Sequence, residues 1–373
     1  MDKYTLLTGA TGFLGQFLLH RLLRAGLPVA VIARSSETQT SKQRIENLVT
    51  RYNREDDCKY PTPVCFTGDI NMPDLGIDEF ALDWFRDNCG ACIHNAASIR
   101  FHGKDRSREP WRSNIGGTEN ILNFCDEVDI ANFHHVSTAY VCGDRRDHVR
   151  ESDLDVGQGY ENDYEQSKLE AEELVREAEF LDSLTVHRPA VVIGDSRTGF
   201  TSSVDFGLYQ YIQFVWQQCE MLRQSGNGRV HIPMRLKLTG DERRNLVTAD
   251  WVSDVMVKII THPELHNQTY HLTPLKPTPY RDVYEAISNY FRIDGIELVG
   301  SEEFDATTNS EFEKMFYDFA DTFEAYWDDE PTFDRTNTDA ASAEIPYPQV
   351  DQDCIQTMID FAVNNVFRKN QTV

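Results

Sequence analysis

Tyr164 and Lys168 stand four residues apart in Tyr164-Glu165-Gln166-Ser167-Lys168, a spacing that sets both on one face of a helix. A free phenol has a pKa of about 10, too high for ready proton exchange near neutrality, and an adjacent ammonium lowers it. Tyr164 could then protonate a carbonyl oxygen as hydride reaches the carbon. Thr138, in Val136-Ser137-Thr138-Ala139-Tyr140-Val141-Cys142-Gly143, brings a hydroxyl that could orient the same oxygen against Tyr164. A solvated helix face produces such a pair as well, so its meaning rests on what surrounds it.

What surrounds it begins at the N-terminus. Gly9-Ala10-Thr11-Gly12-Phe13-Leu14-Gly15 follows a short apolar strand and opens a helix. Gly9 permits a tight turn, Gly12 lets backbone amides approach a pyrophosphate, and Gly15 lets helix and strand pack closely. Leu14, Phe17, Leu18 and Leu22 give that helix an apolar face for the sheet. The end of the second strand then chooses the nicotinamide cofactor. NAD sites place Asp or Glu there for the ribose hydroxyls. This chain has Ala33-Arg34-Ser35-Ser36, with Lys42 and Arg44 close behind. A guanidinium pairs with a 2′-phosphate and stacks on adenine, which favours NADPH. Lys168 could also hydrogen-bond the nicotinamide ribose.

The elements that must position these groups alternate. Thr5–Thr8, Val29–Ala33, Val64–Thr67, Ala91–Asn95 and Phe133–Val141 read as strands, with helices at Phe13–Arg24, Lys42–Tyr52, Asp78–Arg86 and Asn114–Asp126. A helix at Tyr164–Glu179 and a strand at Leu184–Ile193 follow. Such alternation predicts an α/β fold, a Rossmann-type doubly wound parallel sheet with ligands at the carboxyl ends of its strands. The rhythm then changes to a long aromatic helix at Ser202–Arg223, a strand at Arg229–Leu236, a helix capped by Asp250 at Asp250–Ile260, and a strand at Thr269–Leu272. Residues 1–195, completed by 245–273, are expected to bind the cofactor. Residues 196–244 and 274–373 are expected to form a smaller, mostly helical substrate domain. Phe206, Tyr209, Tyr211 and Phe214 would suit an apolar chain, although an ordinary packing face explains them as well.

Charge narrows the partners. The 373 residues hold 36 Lys and Arg against 61 Asp and Glu, a net of −25, which disfavours extended polyanions and anionic membrane surfaces. Residues 301–330 carry eleven acids and one base, with Phe304, Phe312, Phe316, Phe319, Phe323, Tyr326 and Trp327 interleaved, and read as an amphipathic helical segment with a solvated acidic face. Tyr160–Phe180 has eight acids against two bases, while Arg100–Arg112 has five bases against two acids. Arg235, Lys237, Arg243 and Arg244 form a second basic cluster. These patches are expected to face the anionic cofactor and an acidic or phosphorylated carrier. The eight cysteines include one CxxC, Cys89 and Cys92, without a second pair or His cluster to hold a metal, so reduced structural thiols are expected. His134, His135 and His187 read as core or strand-end residues, with contact of His135 or His187 with the site as the minor alternative. No signal peptide or spanning segment is read, and a cytoplasmic location is expected.

Taken together, the motifs resemble the extended short-chain dehydrogenase/reductase superfamily over nearly the whole chain. Gly68-Asp69-Ile70, His94-Asn95-Ala96-Ala97, Asn114-Ile115-Gly116-Gly117-Thr118 and His187-Arg188-Pro189 through Gly194 add to the resemblance. It implies Thr138, Tyr164 and Lys168 as catalytic, with Asn114 supporting Lys168 through a water. It also implies cofactor contacts at Gly9, Thr11, Gly12, Phe13, Leu14, Gly15, Arg34, Arg44, Asp69, Ile70, Asn95, Ala96, Ala97, Tyr164, Lys168, Pro189, Val191 and Val192. Within the superfamily, Thr8–Gly15, Val136–Val141 and Gly194–Gly199 are similar to the thioester-reductase and fatty-acyl-CoA-reductase branch. Its members reduce acyl groups on CoA or a carrier protein to aldehyde or alcohol with NADPH. Sugar-nucleotide enzymes fit less well, because Ala139-Tyr140 stands where they have Asp-Glu and Cys142 where they commonly have Tyr. A packed thiol is the plainer reading of Cys142. A ketoreductase or hydroxyl dehydrogenase, a sugar-nucleotide-type epimerase, and a non-catalytic NADP(H)-sensing module remain alternatives.

Overall fold

The seven strand-forming runs pair into one parallel sheet: β1 (Tyr4–Thr8), β2 (Val29–Ala33), β3 (Val64–Thr67), β4 (Cys89–His94), β5 (Asn132–Val136), β6 (Ser183–Pro189) and β7 (Thr269–Leu272). This is a computed structural model, and it describes residues 3–204, 206–223, 228–321 and 326–370. The strand order is β7-β6-β5-β4-β1-β2-β3. The winding therefore reverses between β1 and β4, where Thr8 lies opposite His94, and a crevice opens at the carboxyl ends of those two strands. The fold is the doubly wound sheet that the alternating pattern predicts.

Local signals set the helices. Between the strands lie α1 (Phe13–Arg24), α2 (Ser41–Glu55), α3 (Glu79–Asn88), α4 (Gly117–Glu127) and α5 (Asp163–Glu177). Thr40 and Gln43 close a capping box on α2, Asp78 caps α3, and Asn162 caps α5 through the Glu165 amide. A π-helical turn, Arg112–Gly116, runs into α4. Buried Leu6, Ile32, Phe85, Ile121, Phe124, Phe133 and Val175 form the core between sheet and helices.

Two compact units are present. The first comprises Met1–Ala190, Val252–Leu272 and Phe333–Pro346, and the second Val191–Trp251, Thr273–Thr332 and Tyr347–Val373. The second contains α6 (Leu208–Arg223), the residues that open α7 (Ala249–Ile260), α8 (Tyr280–Phe291), α9 (Glu311–Ala320) and α10 (Gln352–Phe361). Its own core gathers Ile212, Phe214, Trp216, Phe291, Phe316, Ile355 and Phe367. No helix among the described residues is long and apolar enough to cross a membrane.

Several elements differ from their sequence expectation for identifiable reasons. The strand expected through Val141 stops at Val136, because Thr138 accepts a hydrogen bond from the Tyr140 amide and starts a 3-10 turn over Ala139–Cys142. Gly143 at φ +57° ends that turn, where a Cβ would lie 1.9 Å from the Gly159 carbonyl. The strand expected to run to Ile193 breaks after Pro189, and Val191–Ile193 pairs instead with Leu246–Thr248 in the second unit. Helix α6 begins at Leu208, not Ser202. Asp250 lies inside the first turn of α7, and its carboxylate accepts from the amide and hydroxyl of Ser196.

The acidic stretch is less solvated than its composition implies. It breaks into Gly300–Glu303, Ala306–Thr308 and α9, with Phe319 stacked on Phe214 and Phe312 and Phe316 edge-on to it. Phe323 lies outside the described residues. Glu313 is buried on Arg235 at 2.8 Å, and Glu330 is buried on the Asn245 amide at 2.6 Å. Arg243 pairs with Asp329, while Arg244 donates to the Trp327 and Asp328 carbonyls. The second basic cluster thus contributes these arginines to internal contacts of its own unit, and does not leave them for a phosphate. Tyr209 donates to Met358 and accepts from the Gly194 amide, and Tyr211 accepts from Trp327, so these aromatics pack within the unit.

Segment 333–346, read from sequence with the C-terminal part, is tied to the first unit by Glu151. This carboxylate, only 3% exposed, accepts from the backbone amides of His271, Asn337 and Thr338. Replacing it strands those buried donors, each worth about 1–3 kcal/mol. Glu151→Ala should therefore lower unfolding stability by about 3 kcal/mol or more, measured as a reduced urea midpoint. A change within about 0.5 kcal/mol, the scale of an ordinary surface substitution, would show that the carboxylate does not secure the segment.

Candidate active site

The turn from β1 to α1 brings backbone where side chains would block it. Gly9 sits at φ +69°, and a Cβ there would lie 2.7 Å from the Ala96 nitrogen. A Cβ on Gly15 would lie 2.0 Å from the Gly9 carbonyl oxygen. The Gly12 amide donates to that carbonyl at 2.9 Å, and Asn95 Nδ2 donates to it at 3.3 Å. Thr8 Oγ1 accepts the amides of Asn95 and Ala96 at 3.2 and 3.1 Å, so β1 and β4 are fastened where the sheet reverses. Gly12 offers no side chain to cap α1, leaving the first-turn amides open to an anion. This cradle, which a Cβ would fill, fits a dinucleotide pyrophosphate. Thr11, Phe13 and Leu14 line the same turn, half-buried, with Phe13 edge-on to Phe17 at 5.7 Å.

The end of β2 holds two cations. Arg34 is exposed, its guanidinium 3.7 Å from Asp69, while Arg44 donates to the Arg34 carbonyl at 2.7 Å. Asp69 also accepts from the Asn71 amide at 3.0 Å, and the Ile70 carbonyl accepts from Asn120 at 2.7 Å. Arg44 thus shapes the strand end, and Arg34 is the more available of the two. Ala97 is exposed beside Ala96.

The Tyr–Lys pair lies on α5, whose start is capped by Asn162. Thr138 is buried at the end of β5, its hydroxyl 3.4 Å from the Pro189 carbonyl and hydrogen-bonded to Tyr164. Packing around the Tyr164 ring, which stays partly exposed, pushes its phenol up to about 12, while the Thr138 hydrogen bond opposes that shift. Lys168 donates to the Val136 carbonyl at 2.8 Å. Burial lowers its pKa to about 8, and the charge of Glu172 works against that fall. The expectation of a phenol lowered by the lysine is therefore corrected: here burial dominates, and the phenol holds its proton at neutral pH.

Asn114 does not turn its side chain to Lys168. Its Nδ2 donates to Ser167 Oγ at 2.9 Å and to the Ser98 carbonyl at 3.1 Å, and its Oδ1 accepts the Ser98 amide at 2.7 Å. It joins the loop after β4 to α5. Val191 and Val192 fall in the second unit, while Pro189 ends β6 in the first. His135 is buried and kept neutral by burial, with the Lys168 charge acting in the same direction. His187 pairs with His134 at 3.3 Å. No disulfide joins any of the eight cysteines; Cys92 and Cys142 are buried, and burial raises the Cys92 thiol well above its usual range. Among the described residues no His, Cys, Asp and Glu group could hold a metal.

Sequence reasoning passed over Ser167 and Glu172. Glu172 is fully buried, joined to Arg188 by bonds of 2.7 and 3.0 Å and to Arg176 at 2.7 Å. Its spacing was the available signal, since residues 164, 168 and 172 recur every fourth position on one helical face.

The described male sterility protein family of NAD-binding domains matches residues 7–256. The chain is 30% identical over 220 residues to the NRPS-like oxidoreductase fscA of Fusarium equiseti, covering 57% of this chain and 20% of that protein. It is 27% identical over 238 residues to the fatty acyl-CoA reductase wat of Drosophila melanogaster, covering 55% of this chain and 46% of that one. It thus spans less than half the length of either. The terminal R domain from the myxalamid PKS-NRPS biosynthetic pathway superposes with a TM-score of 0.76 at 26% identity, covering 98% of this chain and 92% of that one.

Glu172 makes the electrostatics testable. Removing its charge leaves burial unopposed at Lys168, so Glu172→Gln should lower the Lys168 pKa from about 8 by about one further unit. Nitrogen NMR of the lysine side chain reads this directly. An unmoved titration would show that Glu172 holds the helix without tuning the lysine.

Proposed function

Because the chain belongs to the NAD-binding male sterility protein family, we propose that it is an NADPH-dependent reductase of thioester-activated acyl groups, carried on CoA or a carrier protein. The observation that carries this reading is that buried Thr138, at the end of the β5 segment, and Tyr164 with buried Lys168, on one face of α5, come together, with Lys168 bound to the Val136 carbonyl at 2.8 Å. The names of the fungal oxidoreductase, the insect reductase and the R domain support a thioester substrate.

The Gly9–Gly15 turn would hold the pyrophosphate and Arg34 the 2′-phosphate, with Asp69, Ile70, Asn95, Ala96 and Ala97 along the adenine and ribose path. When bound, NADPH supplies the hydride that reduces the acyl carbon. Thr138 orients the carbonyl oxygen by its hydroxyl. Tyr164 gives that oxygen its phenolic proton, and the high pKa keeps this proton in place until negative charge develops on the oxygen. Lys168, anchored on the Val136 carbonyl, supplies the positive charge that stabilises the resulting phenolate. The hemithioacetal then collapses: its hydroxyl proton leaves, the carbonyl reforms, and the carbon–sulfur bond breaks to release thiol and aldehyde. Reduction of the aldehyde to alcohol takes a second NADPH and the same two hydroxyls.

Supplying NADPH with acyl-CoA and acyl-carrier substrates, and following absorbance with free thiol, tests the reading. Activity on a ketone or sugar nucleotide with none on any thioester would overturn it. Tyr164→Phe should lower turnover by about 100-fold or more, with the NADPH dissociation constant unchanged; unchanged turnover would point to a sensing module instead. Arg34→Ala should weaken NADPH about tenfold, the cost of one charge-assisted contact, and leave NADH binding as it was. Equal losses for both cofactors in a fluorescence titration would remove Arg34 from the 2′-phosphate.

A further inference from the structure

The loop joining β4 to the π-helical turn is basic in a chain of net charge −25. Between Arg100 and Arg112 it holds five cations and two acids. One cation is structural. Arg106 bonds Glu170 of α5 at 2.9 and 2.6 Å and lies 4.1 Å over the Trp111 ring. The two acids are engaged locally, Asp105 with the amide and hydroxyl of Ser107 and Glu109 with Ser113. Arg100, Lys104, Arg108 and Arg112, at every fourth residue, are all exposed, and no ion pair joins any of them to a carboxylate among the described residues.

This loop is fastened to the site. Tyr164 donates its amide to the Phe101 carbonyl at 3.3 Å, and the Gly103 amide donates to Asp163 at 2.7 Å. Ser98 is held by Asn114. Ile99, 58% exposed, adds an apolar contact next to Arg100. The backbone between Arg100 and Lys104 is therefore fixed to the first turn of α5, which carries Tyr164.

We propose that Arg100, Lys104, Arg108 and Arg112 are the docking surface for an acidic carrier protein that presents the thioester, an inference that rests on the thioester reading above. Charge complementarity selects the occupant. Four solvated cations strung along thirteen residues suit the broad acidic face of a protein, whereas one phosphate is held by donors that converge. The rest of an acidic chain repels such a partner, so the strip directs its approach as well as holding it. Long side chains in water act mainly on association and are screened by salt.

The test compares one acyl group on three thiols: an acidic acyl carrier protein, CoA, and neutral N-acetylcysteamine. In the Lys104→Glu/Arg108→Glu variant, kcat/KM for the carrier thioester should fall about tenfold or more through KM, with the neutral thioester unchanged. Added salt should slow the wild-type protein on the carrier substrate and affect the variant much less. An unchanged carrier kcat/KM overturns the proposal, as does an equal loss on the neutral thioester, which would report a distorted loop. A loss confined to CoA also overturns it, assigning the strip to nucleotide phosphates. Calorimetry of the carrier with the wild-type protein and the variant separates the two levels. Charge-dependent binding without reduction of any thioester would leave the docking surface standing and remove the thioester reading.

Discussion

A single buried carboxylate holds the site together. Glu172 takes Arg188 of β6 in a two-point bond away from water, and also binds Arg176 of its own helix, whose side chain reaches the surface. A buried ion pair is weak evidence for stability in itself, since desolvation offsets much of the attraction, but removing one partner leaves an uncompensated charge. The pair therefore fixes a register. With Glu172 on Arg188, α5 can lie on the sheet in one rotation, and that rotation sets Lys168 under the Val136 carbonyl and Tyr164 against Thr138. Arg188 immediately precedes Pro189, whose carbonyl faces the Thr138 hydroxyl. The same contact thus orders both sides of the Thr–Tyr pair.

The second constraint is steric and acts at the other edge of the crevice. A Cβ on Gly9 would strike the Asn95–Ala96 backbone and one on Gly15 would strike the Gly9 carbonyl, and Thr8 fastens β1 to the Asn95–Ala96 backbone through a single hydroxyl. Asn95 returns the contact to the Gly9 carbonyl. The Gly9–Gly15 turn and α5 are then linked through the stretch after β4, since Asn114 binds Ser98 on one side and Ser167 on the other. Asn114 is a positioning residue in this geometry, joining the two halves of the crevice.

The sequence made legible what depends on backbone or on short spacing. The glycine turn announces itself because it needs absent side chains, and the Tyr–Lys pair because a helix repeats every 3.6 residues. The alternation of strands and helices was equally plain. What escaped depends on distant partners or on hydrogen bonding that hydrophobicity does not encode. The apolar run Leu184–Ile193 conceals the break after Pro189, which comes from pairing with β7 and with Leu246–Thr248. Arg235, Arg243 and Arg244 look like Arg100, Lys104 and Arg108 in composition. Yet Arg235 and Arg243 meet Glu313 and Asp329, which lie 78 and 86 residues downstream. Only the folded chain separates a structural arginine from a free one.

The surroundings of the pair, Tyr164 half-buried and Lys168 buried, also bear on the proposed chemistry. The phenol of Tyr164 stands near 12 and the ammonium of Lys168 near 8, so the low-polarity surroundings favour the neutral form of each. An oxidising dehydrogenase needs a phenolate ready to take a proton from an alcohol. A reductase needs the reverse, a phenol that keeps its proton until an oxyanion develops beside it. The proposed reductase reading calls for a phenol of the latter kind. Glu172 then limits how far burial can go, because a lysine driven much below 8 would be neutral and could not stabilise the phenolate left after transfer. The carboxylate that fixes the helix is in this way also the counterweight that keeps the proposed acid site charged when its proton has gone.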